Sequence, residues 1–125
     1  MKYINNNFLV EKVKIQKLAK KFSTPLYCYS YEKLKKNINK FKFNFKSISP
    51  LICFALKANS NLQIIREVKK LGLGADVVSI GELLKAKKAG ISSKKIVFSG
   101  VGKTSKEISL AIEKNILLIN AESKS

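Results

Sequence analysis

The sequence predicts an α/β fold with a parallel β-sheet, and two observations lead to this class. Short apolar segments of strand length recur about every 20 residues after Pro50. Each interval between them carries an amphipathic pattern of helical period. Strands that alternate with helices form right-handed βαβ units, whose strands run parallel. The strands are predicted over residues 51–56, 75–79, 95–99 and 116–120.

The helices of these units are predicted over residues 61–71, 81–89 and 105–114. Ser60 and Thr104 are expected to cap the first and the third helix, because a hydroxyl oxygen accepts hydrogen bonds from the free N–H groups of a first turn. Gly72 and Gly90 follow helix ends, where the left-handed backbone conformation favours glycine.

Polar clusters just after each predicted strand distinguish the two folds that use such a repeat, the doubly wound sheet and the eight-stranded barrel. In a barrel the carboxyl ends of all strands open into one mouth, where catalytic residues gather. We therefore predict a (β/α)8 TIM barrel with its site at this end. The clusters are Lys57–Asn59, Ser79–Glu82, Ser99–Lys103 and Asn120–Ser123.

The residues before Pro50 do not follow this repeat, and they predict a helix-strand-helix segment. Apolar positions at helical spacing predict a helix over residues 10–22. Residues 26–29 are predicted to form a short strand. Ser30 is placed to cap a second helix over residues 31–43.

The length of the chain limits how much of a barrel it holds. An eight-stranded barrel takes about 250 residues, whereas this chain has 125 and reaches about four βα units. It begins with Met1 and stops in the loop where a further helix is expected, which suggests a truncated or split product. We expect residues 1–24 to be an N-terminal extension and residues 25–125 to form an incomplete barrel domain.

Composition excludes several classes of function. Hydrophobic residues make up 46% of the chain and its mean hydropathy is −0.03, as in globular proteins. The sequence has neither an apolar run of membrane-spanning length nor a signal peptide, so we expect a cytoplasmic protein that does not bind membranes. Cys28 and Cys53 are expected to be reduced core residues. The chain has no histidine, which excludes Ser-His-Asp triads and most zinc sites, and we predict no metal site.

The formal net charge of +17 raises the hypothesis of a nucleic-acid binder. Lysine outnumbers arginine 24 to 1, however, and arginine is favoured for bidentate contacts with phosphate and guanine. The densest cluster, residues 33–46, mixes lysines with phenylalanines, and core-facing rings between solvated lysines explain it equally well. We therefore expect no nucleic-acid partner.

Lys57 is the residue that points to a specific chemistry. It follows the six apolar residues 51–56, so an ammonium group is expected at the end of a buried strand. Burial disfavours the charged form of an amine and makes it a nucleophile that condenses with aldehydes. The alternative is that Lys57 only marks the point where the strand emerges into solvent.

Four motifs in order and at matching spacing resemble the diaminopimelate decarboxylases. They are the strings Phe54–Asn61, Gly72–Leu83, Ile96–Lys103 and Ile119–Ser123, preceded by Thr24–Ser30. The resemblance implies an enzyme that depends on pyridoxal 5'-phosphate, with an alanine racemase-like barrel and a β-rich domain. It also implies decarboxylation of meso-2,6-diaminopimelate, a small amino acid, to L-lysine.

The resemblance also implies roles for individual residues. Lys57 would bind pyridoxal phosphate through a Schiff base. Asp76 and Glu82 match acidic positions near the cofactor, although a turn and a first helical turn are the structural alternatives for them. Further residues would line the mouth of the barrel by position. They are Asn59, Ser79 and Asn120.

Other features of the family have no counterpart in this chain. Gly100, Gly102 and Lys103 do not complete a nucleotide-binding loop, and the family holds the cofactor phosphate with a later glycine-rich loop. Its stacking histidine and substrate-binding arginines also lie further along, some of them in a partner subunit. We therefore expect the complete enzyme to be a homodimer and this chain to be inactive alone.

Two further interpretations stay open. The chain could belong to another decarboxylase of this fold, acting on ornithine, arginine or carboxynorspermidine. It could also be a non-catalytic cofactor-binding half-barrel that completes itself by dimerisation or with a separate chain.

Overall fold

A computed structural model describes residues 2–123. The chain divides into two compact units, residues 1–44 and residues 45–125. The boundary predicted after residue 24 separates an N-terminal extension from the barrel domain. It is a different division from these compact units, and it stays a prediction.

The first unit begins with a small antiparallel sheet that the sequence analysis missed. Its strands, within the described residues, are β1 (Lys2–Ile4), β2 (Asn7–Val10) and β3 (Val13–Lys14). Asn5 and Asn6 both have positive φ and join β1 to β2 in a two-residue turn. Such a turn matches the right-handed twist of a hairpin and favours asparagine. The predicted helix over residues 10–22 is therefore wrong in its first half, and helix α1 is Ile15–Phe22.

The predicted strand over residues 26–29 is also wrong. These residues pair with no strand in the part of the chain that the structure describes. Tyr27 is 89% exposed, and a strand is stable only when a neighbour satisfies its backbone groups.

Helix α2 (Tyr31–Asn44) begins as predicted, with Ser30 as its cap. The Ser30 hydroxyl oxygen accepts a hydrogen bond from the Lys33 N–H (3.1 Å). The Glu11 carboxylate adds to this cap, since it accepts from the Glu32 N–H (3.0 Å) and from the Ser30 hydroxyl (2.8 Å). These bonds hold the pKa of Glu11 below its ordinary value.

The second unit contains the predicted parallel sheet, which has the order β4-β5-β6-β7 within the described residues. Its strands are β4 (Cys53–Ala55), β5 (Gly74–Val77), β6 (Ile96–Phe98) and β7 (Leu118–Ile119). The crossover helices are α3 (Leu62–Lys70), α4 (Ile80–Lys88) and α5 (Ser105–Glu113). All four strands and three helices were predicted, and the strands are shorter than expected.

One face of this sheet packs on the helices and forms the core. Ala75, Val77, Ile96 and Phe98 are completely buried there. Because side chains alternate along a strand, the residues between them point to the opposite face. Asp76 lies on that face, in register with Ala55, Val97 and Leu118.

Glycines mark two helix ends. Gly72 (φ 83°) follows α3 and Gly90 (φ 87°) follows α4, as predicted.

None of the described helices is long and apolar enough to cross a membrane.

Candidate functional site

The candidate site lies at the carboxyl ends of the parallel strands in the second unit. Parallel pairing brings these ends to one edge of the sheet. Each strand is followed there by residues that the sequence analysis singled out. Ligands of parallel α/β sheets bind at such an edge.

Lys57 lies in a single 3₁₀ turn, Leu56–Ala58, that follows β4. Leu56 is completely buried and anchors the turn, whereas Lys57 is exposed. The expectation of a partly buried ammonium group is therefore wrong for this chain. The strand ends at Ala55, and the turn directs the apolar residue inward and the lysine into solvent.

Three residues from neighbouring strand ends form a chain of hydrogen bonds. The Asn120 side-chain amide donates to the Ser99 hydroxyl oxygen (2.9 Å), and this hydroxyl donates to Oδ1 of Asp76 (2.6 Å). Asp76 belongs to β5, whereas Ser99 and Asn120 directly follow β6 and β7. The structure thus unites two predicted site residues through Ser99, which was noted only as part of a polar cluster.

Ser79 and Glu82 lie together at the start of α4. The Ser79 hydroxyl accepts from the Glu82 N–H (3.3 Å), and the Glu82 carboxylate accepts from the Val78 N–H (2.9 Å). Both side chains therefore stabilise the first turn of the helix. This is the structural alternative foreseen for Glu82, and their contact with a ligand stays a prediction.

The Asn59 side chain stabilises the loop before α3 through a hydrogen bond. Its side-chain oxygen accepts from the Asn61 N–H (3.0 Å). Asn61, and not the predicted Ser60, caps the helix by accepting from the N–H groups of Gln63 and Ile64. Ser60 instead accepts a hydrogen bond from the Lys85 ammonium group (2.9 Å), and a lining role for Asn59 stays a prediction.

Glu107, which was not predicted from the sequence, connects the loops after β5 and β6. Its carboxylate accepts from the Ile80 N–H (3.2 Å) and from the Thr104 N–H (3.0 Å). With the predicted cap Thr104 it forms a reciprocal capping box, whose spacing in the sequence was the available signal. The bonds from Thr104 and then Ile80 lower the pKa of Glu107.

Lys103 holds the loop between β6 and α5 instead of presenting its charge to a ligand. Its side chain is only 8% exposed, and its ammonium group lies 3.4 Å from the Glu122 carboxylate. It also bonds to the Gly100 carbonyl, and the Gly100 N–H donates to Glu122 (3.2 Å). Lys103 therefore stabilises this loop, and the expectation that the stretch is no nucleotide-binding loop stays a prediction.

Cys53 lies on the same side of the sheet as Asp76. Burial raises the pKa of the Cys53 thiol, and the negative charge of Asp76 raises it further. Gly74 lies beside it in register. A Cβ atom on Gly74 would lie 2.9 Å from the Cys53 sulfur atom, so there is no room here for a side chain beside Cys53.

Comparison with known proteins assigns this arrangement to a family. Residues 31–125 match a protein-family model that is described as "Pyridoxal-dependent decarboxylase, pyridoxal binding domain". The chain therefore belongs to this family, which confirms the resemblance and agrees with the predicted cofactor.

Two relatives with similar sequences carry the same name. The diaminopimelate decarboxylase of Helicobacter pylori (strain J99) is 51% identical over 108 residues, which are 86% of this chain and 27% of that protein. The diaminopimelate decarboxylase of Aquifex aeolicus is 43% identical over 124 residues, 99% of this chain and 29% of that protein. This chain thus spans less than a third of the length of these relatives.

A solved structure confirms the fold. The diaminopimelate decarboxylase of M. jannaschii in complex with L-lysine superposes with a TM-score of 0.91 at 44% identity, and the match covers 95% of this chain and 29% of that one. The predicted class, a partial alanine racemase-like (β/α)8 barrel, is confirmed.

The residues at this edge fit the aldehyde end of a pyridoxal cofactor. Lys57 offers an accessible primary amine, and Oδ2 of Asp76 has no hydrogen-bond partner among residues 2–123. At the described crossover helices, side-chain caps already accept hydrogen bonds from N–H groups of the first turn that could otherwise bind the phosphate end. These caps are Asn61, Ser79 and Thr104.

Proposed function

We propose that this chain is the cofactor-binding part of a diaminopimelate decarboxylase, which converts meso-2,6-diaminopimelate to L-lysine in amino-acid biosynthesis. The observation that carries the proposal is the position of Lys57, an exposed amine in the turn that follows the first strand of the parallel sheet. Relatives of this name, alike over nearly the whole chain, support the choice of substrate.

Lys57 would bind the cofactor covalently through its amine. Pyridoxal phosphate, when bound, supplies an electron sink for the charge left by the lost carboxylate. Asp76 carries a carboxylate oxygen that can accept a hydrogen bond from a bound group. Ser79 and Glu82 would fix the start of α4 beside the site, and Asn59 and Asn120 would line it.

Selective labelling of Lys57 tests cofactor binding. The chain is incubated with pyridoxal phosphate, reduced with borohydride, digested and analysed by mass spectrometry. We expect Lys57 to carry most of the label and Lys57→Arg to lose it. Lys85→Arg is the matched control, since Lys85 is a lysine of the same unit that is bonded to Ser60. Equal labelling of all lysines would contradict a formed site.

Substrate choice needs a separate test, on the product of the whole coding sequence that contains this chain. Release of carbon dioxide is measured with meso-diaminopimelate, L-ornithine, L-arginine and carboxynorspermidine. The proposal expects release from diaminopimelate at a rate at least tenfold above the others. Faster release from another substrate would favour that decarboxylase, and labelling without any release would favour the non-catalytic half-barrel.

We also propose that the complete enzyme is a cytoplasmic homodimer whose ligand is a small amino acid. Cys28 and Cys53 are free thiols in the described chain, which is typical of a reducing compartment. Sedimentation velocity would show a mass of two subunits, and cell fractionation would place the protein with cytoplasmic markers. A monomer, or a membrane-bound protein, would contradict this part of the proposal.

A further inference from the structure

The hydrogen bonds from Asn120 through Ser99 to Asp76 have only one possible direction. A side-chain amide nitrogen donates and does not accept, so the Ser99 oxygen is the acceptor of the Asn120 bond. The single hydroxyl proton of Ser99 is then left for Asp76. At 2.6 Å this second bond has the length typical of a hydrogen bond between a hydroxyl and an ionised carboxylate.

We propose that Ser99 and Asn120 are positioning residues for Asp76. Asn120 orients the Ser99 hydroxyl, and this hydroxyl fixes Oδ1 of the Asp76 carboxylate. The other oxygen, Oδ2, is thereby held in one orientation for a group bound at the strand ends. This inference rests on the proposed function, in which that group is the cofactor on Lys57.

Backbone hydrogen bonds fix the positions of Ser99 and Asn120. The Ser99 N–H donates to the Val77 carbonyl (2.8 Å), and the Asn120 N–H donates to the Phe98 carbonyl (2.9 Å). The parallel ladder therefore continues one residue beyond β6 and β7. Both side chains leave the sheet from positions that the ladder holds in register.

The loops beyond these two residues are also tied together. Glu122 accepts from the Gly100 N–H (3.2 Å) and pairs with the nearly buried Lys103 (3.4 Å). Gly100 directly follows Ser99, and Glu122 lies two residues after Asn120. The contact restricts how far Ser99 and Asn120 can separate, so their mutual bond is part of a larger network.

The test measures the rate at which pyridoxal phosphate and borohydride label Lys57. Ser99→Ala and Asn120→Ala should each slow labelling about fivefold, the size of effect expected from one lost hydrogen bond. Ser99→Thr keeps the hydroxyl and should label within about twofold of the wild type. Asn120→Asp should be as slow as Asn120→Ala, because a carboxylate accepts the Ser99 proton and draws it away from Asp76.

A double-mutant cycle separates positioning from stability. If Ser99 acts through Asp76, Ser99→Ala should slow labelling no further in an Asp76→Asn background. A merely structural role would give additive losses, which would overturn the inference. Wild-type labelling rates in Ser99→Ala, with Lys57 still the labelled residue, would overturn it while leaving the proposed function intact.

A measurement without cofactor keeps the inference open to refutation if Lys57 is not labelled. The Asn120 side-chain amide signals in a ¹H–¹⁵N NMR spectrum should shift in Ser99→Ala and in Asp76→Asn, and not in Lys57→Arg. Unchanged signals in the first two variants would overturn the hydrogen-bond chain itself. Failed labelling in the wild type would count against the proposed function alone.

Discussion

The Glu107 carboxylate accepts a hydrogen bond from the backbone N–H of Ile80, 27 positions earlier in the chain (3.2 Å). One acidic side chain on α5 thus satisfies a free donor at the start of α4. Its other oxygen serves Thr104 at the start of its own helix. The relative position of two crossover helices, and of the loop that carries Ser79, depends on this ionised group.

We predict that Glu107 makes the chain less stable in acid. The pKa of Glu107 is lowered in the folded state, so its contribution is complete above the ordinary carboxylate value. It is lost as the pH falls from that value through the lowered one. Urea unfolding at pH 7 and at pH 3 should show a smaller loss on acidification in Glu107→Gln than in the wild type.

The control for this prediction is Glu113→Gln. It makes the same charge change on α5, at a side chain that is 66% exposed and pairs with Lys114. It leaves the Glu107 contacts in place and should keep the acid sensitivity that Glu107 confers. Equal acid sensitivity in Glu107→Gln and wild type would contradict the prediction.

Gly74→Ala should destabilise the second unit by about 3 kcal/mol or more, because there is no room for its methyl group. The new Cβ atom would lie 2.2 Å from the Lys95 carbonyl oxygen, a backbone atom that cannot move aside alone. Gly102→Ala is the matched control, since its Cβ would meet no atom within 4 Å. Urea unfolding should place the unfolding free energy of the control within about 0.5 kcal/mol of the wild-type value. An equally small change in Gly74→Ala would contradict the close contact between Gly74 and the Lys95 carbonyl oxygen.

Phe98→Ala should cost about 3–5 kcal/mol of unfolding free energy, since Phe98 is completely buried between sheet and helices. Val101→Ala, three residues later, removes an apolar side chain that is 90% exposed. It should change the unfolding free energy by less than about 0.5 kcal/mol. Thermal and urea unfolding of both variants would check the contrast, and similar values would mean that the core is placed wrongly.

Asp76→Asn should make the Cys53 thiol more reactive. The negative charge of Asp76 raises the pKa of this thiol, so removing it increases the thiolate fraction at a given pH. In a Cys28→Ser background, alkylation by iodoacetamide at pH 8 should become about two- to tenfold faster. Glu67→Gln, which removes a carboxylate from α3, is the control and should leave the alkylation rate unchanged. A slower reaction in Asp76→Asn would contradict the conclusion that the Asp76 charge raises the pKa of Cys53.

The regular part of the fold could be predicted because each element carries its own local signal. Apolar strands, a Thr104 cap and the glycines at 72 and 90 are readable from a few neighbouring residues. Strand lengths were overestimated, because residues such as Leu56 are as apolar as strand residues and are buried in a turn. Periodicity reports burial, and burial alone does not distinguish a strand end from the turn that follows it.

The amino-terminal hairpin and the site contacts were harder to predict. Asn5 and Asn6 are the hairpin signal, but the adjoining apolar residues also fit a helical period, and the helix was chosen. The Ser99–Asp76 bond joins residues 23 positions apart, and the Glu107–Ile80 bond joins residues 27 positions apart. No local pattern encodes such a contact, since it depends on which strand ends the crossovers bring together.

The outer strands β4 and β7 each pair on one side only within the described residues, and β7 is followed by no charged residue until Glu122. Leu117 and Leu118 are 47% and 51% exposed beside this open ladder. Unpaired backbone next to bare apolar side chains is a template for intermolecular strand addition. Preparations of this chain should accordingly form soluble oligomers and then precipitate as their concentration rises.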